Sequence, residues 1–111
     1  MDTRLSEYRI MWVLVFFDLP TDTRKARKSS ADFRKNLIKD GFVMFQFSIY
    51  IRHCASAENA KAHVRRVKSF LPELGNVVIT SITDKQFSDM EVFSKNERKE
   101  TPKAYTQLEL F

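Results

Sequence analysis

Asp18 is the residue whose type and setting could do the most chemistry. It closes the run Arg9-Ile10-Met11-Trp12-Val13-Leu14-Val15-Phe16-Phe17, and Leu19-Pro20 follows it. Metal-assisted cleavage of a phosphodiester requires carboxylates that hold the ion and orient water, and hard oxygen ligands suit Mg2+, which keeps several waters of its own. One carboxylate makes a thin site. A dimer that places two Asp18 side chains across its axis supplies a pair, so the metal reading depends on dimerisation. In the plainer alternative Asp18 only shapes the strand-to-helix turn, where aspartate is common. The residues alone leave both open.

The other candidates carry less. Asp22 is explained as a helix N-cap, and Thr21, Thr23 and Ser48 are hydroxyl residues of the kind usually spent on local structure. His53 and Cys54 are neighbours on a strand and point to opposite faces, and His63 has no partner at a recognisable spacing, so both histidines read as surface or packed residues. With Gly41 and Gly75 the only glycines, no phosphate-cradling loop can be built. Arg24, Lys25, Arg27 and Lys28 open a basic segment within reach of phosphates, the candidate contact with DNA or RNA. A solvated helix face explains the same residues, and no motif for reading bases is present. The phenylalanines fall mostly in core registers and read as core rather than as stacking platforms.

Composition sets the frame for these residues. A chain of 111 residues with 43% hydrophobic side chains and ten phenylalanines builds one core, and a disordered chain is excluded. The net charge of +5 favours polyanionic partners. One cysteine, Cys54, rules out an intrachain disulfide and a cysteine-rich zinc site, which fits a reducing cytoplasm. The apolar run Ile10 to Phe17 is too short to span a bilayer, and Asp2, Arg4 and Glu7 before it make no clean signal region, so no membrane or export role is expected.

The elements that must position Asp18 follow from periodicity. A strand ends near Asp18. A helix capped by Thr21 or Asp22 runs to about Asp40, with Ala26, Ser30, Phe33 and Leu37 on its buried stripe and Gly41 ending it. Phe42 to His53 is strand-like but long, and it reads as two strands divided near Gln46 to Ser48, by a bend or by a hairpin. Ser56 caps a second helix with Ala60, Val64, Val67 and Leu71 buried, and Pro72 ends it. Asn76 to Thr83 is a strand, and Gln86 to Phe93 reads as a short edge strand beyond it.

This order, βαββαβ with an additional C-terminal strand, predicts an α+β ferredoxin-like sandwich with both helices on one face of an antiparallel sheet. Both sides of the first strand are apolar, Val13, Val15 and Phe17 on one and Trp12, Leu14 and Phe16 on the other. Two helices cover one side only. A second copy packed sheet against sheet is the simplest cover for the other, which predicts a homodimer; a tail folded back is the alternative. The domain is expected over residues 1–94, with its core at 10–84. Residues 95–111 form a polar connector and an apolar end, Tyr105 to Phe111, whose alternation suits docking as a strand on a sheet edge.

The segments Val13-Leu14-Val15-Phe16-Phe17-Asp18, Asp22-Thr23-Arg24-Lys25 and Gly41-Phe42-Val43-Met44-Phe45-Gln46-Phe47-Ser48-Ile49-Tyr50, in this order and spacing, resemble the Cas2 family of CRISPR adaptation proteins. The resemblance covers residues 11 to 84 and departs from the pattern in the extension Met1 to Arg9. It implies a ferredoxin-like homodimer with Mg2+-assisted endonuclease activity, endoribonuclease by the family's usual label. The family's strand-end aspartate falls on Asp18. It also implies a bridging role between dimers of the CRISPR-associated integrase during spacer acquisition. Two other functions stay open: a catalytically silent architectural adaptor that grips nucleic acid, and a free-standing toxin-like ribonuclease.

Overall fold

The structure is a computed structural model that describes residues 10–94. The segments 1–9 and 95–111, with the expected docking strand Tyr105 to Phe111, lie outside the described residues. Four strands and three helices follow in the order β1 (Met11–Asp18), α1 (Arg24–Lys39), β2 (Val43–Gln46), β3 (Ile49–Cys54), α2 (Ala57–Ser69), β4 (Asn76–Thr83) and α3 (Asp84–Ser88). The sheet runs β2-β3-β1-β4, and each neighbouring pair is antiparallel.

β1 is the most apolar segment and takes a central place, paired along its whole length with β4 and along most of it with β3. Its alternation separates two cores. Val13, Val15 and Phe17 join Tyr50 and Cys54 of β3 beneath α1 and α2, which contribute Phe33, Leu37, Ala60 and Val67. α1 ends as expected at Gly41, whose φ of +95° lets the Gly41 and Phe42 amides return to Ile38 and Leu37. Phe42 then packs in the same cluster as Leu37.

The second core holds Trp12, Leu14 and Ile51 on the opposite face, and here the expectation of an edge strand over Gln86 to Phe93 is corrected. That segment opens as α3, because Thr83 and Gln86 form a reciprocal capping box in which Thr83 accepts from the Gln86 amide and the Gln86 side chain accepts from the Thr83 amide. Helical spacing brings Phe87 and Met90 onto the sheet. Phe87 stacks on Trp12 with ring centroids 3.9 Å apart, and Trp12 donates its indole N–H to Asp84 at 2.8 Å. Part of the face assigned to a second copy is therefore covered by α3. The cover is incomplete: Phe45, whose ring centroid is 6.3 Å from that of Phe87, stays half-buried with Phe16 and Ile49, and Val78, opposite Phe16, is 59% exposed.

Residues 42–53 are divided by a hairpin rather than a bend, with Phe47 and Ser48 as its turn. Two-residue hairpin turns normally need positive φ. No non-glycine residue among those described has it. The register instead slips by one between Met44 and Gln46, leaving Phe45 as a bulge. The turn is pinned from outside, by the Phe17 amide donating to the Ser48 carbonyl at 3.0 Å and by Arg34 donating to the Phe47 carbonyl.

Leu71 leaves the predicted stripe of α2, since the helix stops at Ser69 and Leu71 is exposed. His63 takes a place on that stripe and is buried. It is not partnerless: its Nδ1 lies 2.7 Å from an Asp40 carboxylate oxygen.

Candidate functional site

Asp18 is the last residue of β1, paired with Asn76 of β4, and it is exposed. Alternation from Leu14 and Phe16 sends its side chain to the face that α3 covers only in part. Among the described residues its carboxylate takes no hydrogen bond and no ion pair. The backbone around it is fixed. Gly75, at φ +103°, enters β4 so close that a Cβ there would lie 2.8 Å from the Asp18 carbonyl oxygen. Only glycine meets both the conformation and the approach.

The loop after Asp18 reaches α1 through Thr23, whose hydroxyl accepts from the Ala26 amide at 3.0 Å. Thr23 is the N-cap, in place of the expected Thr21 or Asp22, and its hydroxyl is thereby engaged. Asp22 is left exposed in the loop. Arg24, Lys25, Arg27 and Lys28 are all exposed on the first turns of α1, at the end of the sheet where Asp18 sits. Lys25 pairs with Glu73 at 3.5 Å and Lys28 with Asp32 at 3.3 Å. Both pairs are open to water and hold little energy, so both amines can exchange to phosphate. Arg27 donates to the Thr21 carbonyl at 3.1 Å and so braces the loop as well.

Two groupings escaped the sequence. Arg34 lies with its guanidinium 3.7 Å from the Phe47 ring centroid and 4.9 Å from that of Phe17, a stack at the same sheet end as Asp18. The position of Phe47 between two strands was its only signal. The second is Asp40, which closes α1, accepts from Arg66 at 2.8 Å and faces His63 at 2.7 Å, with side-chain exposures of 9% for Asp40 and 5% for His63. Burial alone would raise the Asp40 carboxyl, but hydrogen bonds from His63 and Arg66 and the charges of both outweigh it and hold the group below its ordinary value. No i,i+3 or i,i+4 rule links Asp40 to α2, so the tertiary fold alone brings them together.

The donor set can be tested against a metal ion. Among the described residues no three His, Cys, Asp or Glu side chains converge. By itself the Asp18 carboxylate is a half-site of hard oxygen that suits an ion retaining most of its water. The Asp18 pair of a dimer would complete it.

The chain is thus a small α+β protein with an exposed strand-end carboxylate beside a cationic helix start. Comparison narrows the class. The family model described as CRISPR associated protein Cas2 matches residues 11–90. The chain is 59% identical over 109 residues to the CRISPR-associated endoribonuclease Cas2 of Flavobacterium psychrophilum, covering 98% of this chain and 95% of that one. It is 52% identical over 101 residues to the protein of the same name from Parvibaculum lavamentivorans, covering 91% and 100%. A solved structure described as a crystal structure of cas2 shares the fold, with a TM-score of 0.55 at 20% identity over 84% of this chain and 97% of that one. The chain belongs to the Cas2 family of CRISPR-associated proteins. Among the described residues no helix is long and apolar enough to cross a membrane.

Proposed function

We propose that the chain acts in CRISPR adaptation as a ferredoxin-like homodimer and a metal-dependent endonuclease, an endoribonuclease as its relatives are named. It would work with the CRISPR-associated integrase in acquiring spacers, in the cytoplasm. The observation that carries the nuclease assignment is the Asp18 carboxylate, exposed and without a partner among the described residues, on the incompletely covered sheet face. A second copy seated on Phe16, Phe45, Ile49 and Val78 would bury that face and bring a second Asp18 to the first. The two carboxylates would hold Mg2+. Bound there, the ion would polarise the phosphodiester and lower the pKa of a coordinated water. Arg24, Lys25, Arg27 and Lys28 would bind the flanking phosphates and orient the strand.

The purified protein with Mg2+ is expected to cleave a labelled RNA and DNA panel, and Asp18→Ala to lose at least about 100-fold in rate, the scale of a metal's contribution. An unchanged rate in that variant sinks the assignment. The exposed Arg24, Lys25, Arg27 and Lys28 at the start of α1 support another reading, an architectural adaptor whose work is grip. Normal spacer acquisition by Asp18→Ala, with acquisition lost when Arg24, Lys25, Arg27 and Lys28 are neutralised, selects the adaptor.

A further inference from the structure

The turn between β2 and β3 exposes a phenylalanine that the core has no use for. Phe47 is 69% exposed, yet it is held rather than free. Arg34 stacks on one side of its ring and donates to its carbonyl, and the Phe17 amide fixes the next residue, Ser48. The guanidinium occupies one side, so the exposure belongs to the ring's other side. A ring already ordered in this way loses little entropy when something flat is laid on it.

Its surroundings decide what that occupant is. Arg34 is two turns beyond Arg27 on the same side of α1, and Arg24 and Lys28 flank Arg27 at the exposed start of the helix. An apolar peptide on Phe47 would desolvate the underlying arginine without replacing its water. A nucleic-acid strand offers the ring a flat base and offers the arginines and lysines phosphates. Bases inside a duplex are already stacked and cannot reach the ring, whereas bases in single strands can.

We propose that Phe47, braced by Arg34, is a stacking platform for one unpaired nucleobase, so that single-stranded RNA or DNA is gripped at the end of the sheet where Asp18 stands. The inference rests on the reading that the chain binds nucleic acid, and it is independent of whether Asp18 catalyses anything. Phe17 faces the helices while Asp18 faces the other side of the sheet, so a strand anchored on Phe47 crosses the sheet end before its backbone meets the carboxylate.

The test measures affinity with chelator present, so that no cleavage intervenes. Single-stranded RNA and DNA oligonucleotides, the matching duplexes and abasic strands of equal charge are titrated against the native chain, Phe47→Ala and Phe47→Trp. The native chain and Phe47→Trp should prefer base-bearing single strands over abasic ones by roughly 5- to 100-fold, the scale of one base stacked on an aromatic ring. Phe47→Ala should lose that preference while keeping the salt dependence that phosphate contacts produce. The RNA and DNA arms report which sugar is favoured, and either result supports the platform. Equal preference in the native chain and Phe47→Ala overturns it, as does an equal loss on abasic strands, which would make Phe47 a prop for the cations. A fall in molecular mass for Phe47→Ala would mean that the ring seats a second copy, and also overturns it. Should no variant bind any strand, the nucleic-acid reading fails together with this one.

Discussion

Asp18 and Asp40 stand at opposite ends of the β2–β3 hairpin and are treated in opposite ways. Asp40 is enclosed, held by His63 and Arg66 and tied through its backbone carbonyl to Arg52 Nε at 2.8 Å. Asp18 is fixed only by its backbone, between β4 and the close approach of Gly75, while its carboxylate faces water. A buried carboxylate with both oxygens engaged is a poor site for a ligand, and its loss strands its partners. An exposed carboxylate on a rigid strand end contributes little to folding and is free to take a ligand. The contrast separates a structural aspartate from the one proposed to be functional in a single small domain.

Exchanging the damage gives the largest effects. Asp18→Asn should end metal-dependent cleavage, by at least about 100-fold, and shift stability by no more than about 0.5 kcal/mol, as for surface positions generally. Asp40→Ala should do the reverse. It removes the partner of a buried imidazole and is expected to lower stability by about 2 to 3 kcal/mol, with cleavage per folded molecule retained. Denaturant melts paired with rates per folded molecule decide the matter, and a stability loss in Asp18→Asn as large as that in Asp40→Ala would erase the distinction.

Much of this arrangement was legible in the sequence, because it depends on patterns that local physics enforces. The strand ending at Asp18, the buried stripe of α1 and its stop at Gly41 all follow from periodicity and caps, and the structure places them as expected. What was missed depends on contacts between distant segments. Asp40 meets His63 across 23 positions, and Trp12 meets Asp84 across 72. The hairpin at Phe47 lacked glycine or asparagine because Arg34 and Phe17 hold it from outside, a device that leaves no local mark. Gln86 to Phe93 was expected as an edge strand, and the Thr83 cap that makes its start helical draws on the preceding strand. Of the proposed site, the carboxylate and the cations could be picked out one by one. Their gathering at one sheet end required the topology.

The face to which Asp18 points gives an effect of intermediate size. Phe87 is buried against Trp12 and anchors α3 there. Phe87→Ala is expected to lower stability by about 2 to 3 kcal/mol, somewhat below the usual range for a core phenylalanine because α3 is short and sits at the sheet surface. Loss of the stack should also alter the Trp12 fluorescence. If the helix-covered core carries most of the folding energy, as the larger cluster around Phe33 and Leu37 implies, the variant still folds at low temperature. A cooperative loss of all structure would instead make the two faces equal partners in stability.

The smallest effect is a change in the acid response, and it comes from Asp40. Its carboxyl is held below the ordinary 3.8, with burial opposing and the hydrogen bonds and charges of His63 and Arg66 prevailing. The folded state therefore binds the Asp40 proton less readily than the unfolded state does. Stability from this source is fully present above the unfolded value and is lost as pH falls from there through the lower folded value. Asp40→Asn has no carboxyl to titrate and forfeits that contribution at neutral pH. The stability gap between the native chain and Asp40→Asn should accordingly be widest near neutrality and close progressively below about pH 4, the ordinary aspartate range. A native-to-Asp40→Asn gap that holds constant into acid would show that the His63 and Arg66 contacts favour the neutral carboxyl as much as the charged one, and that the two aspartates differ in burial alone.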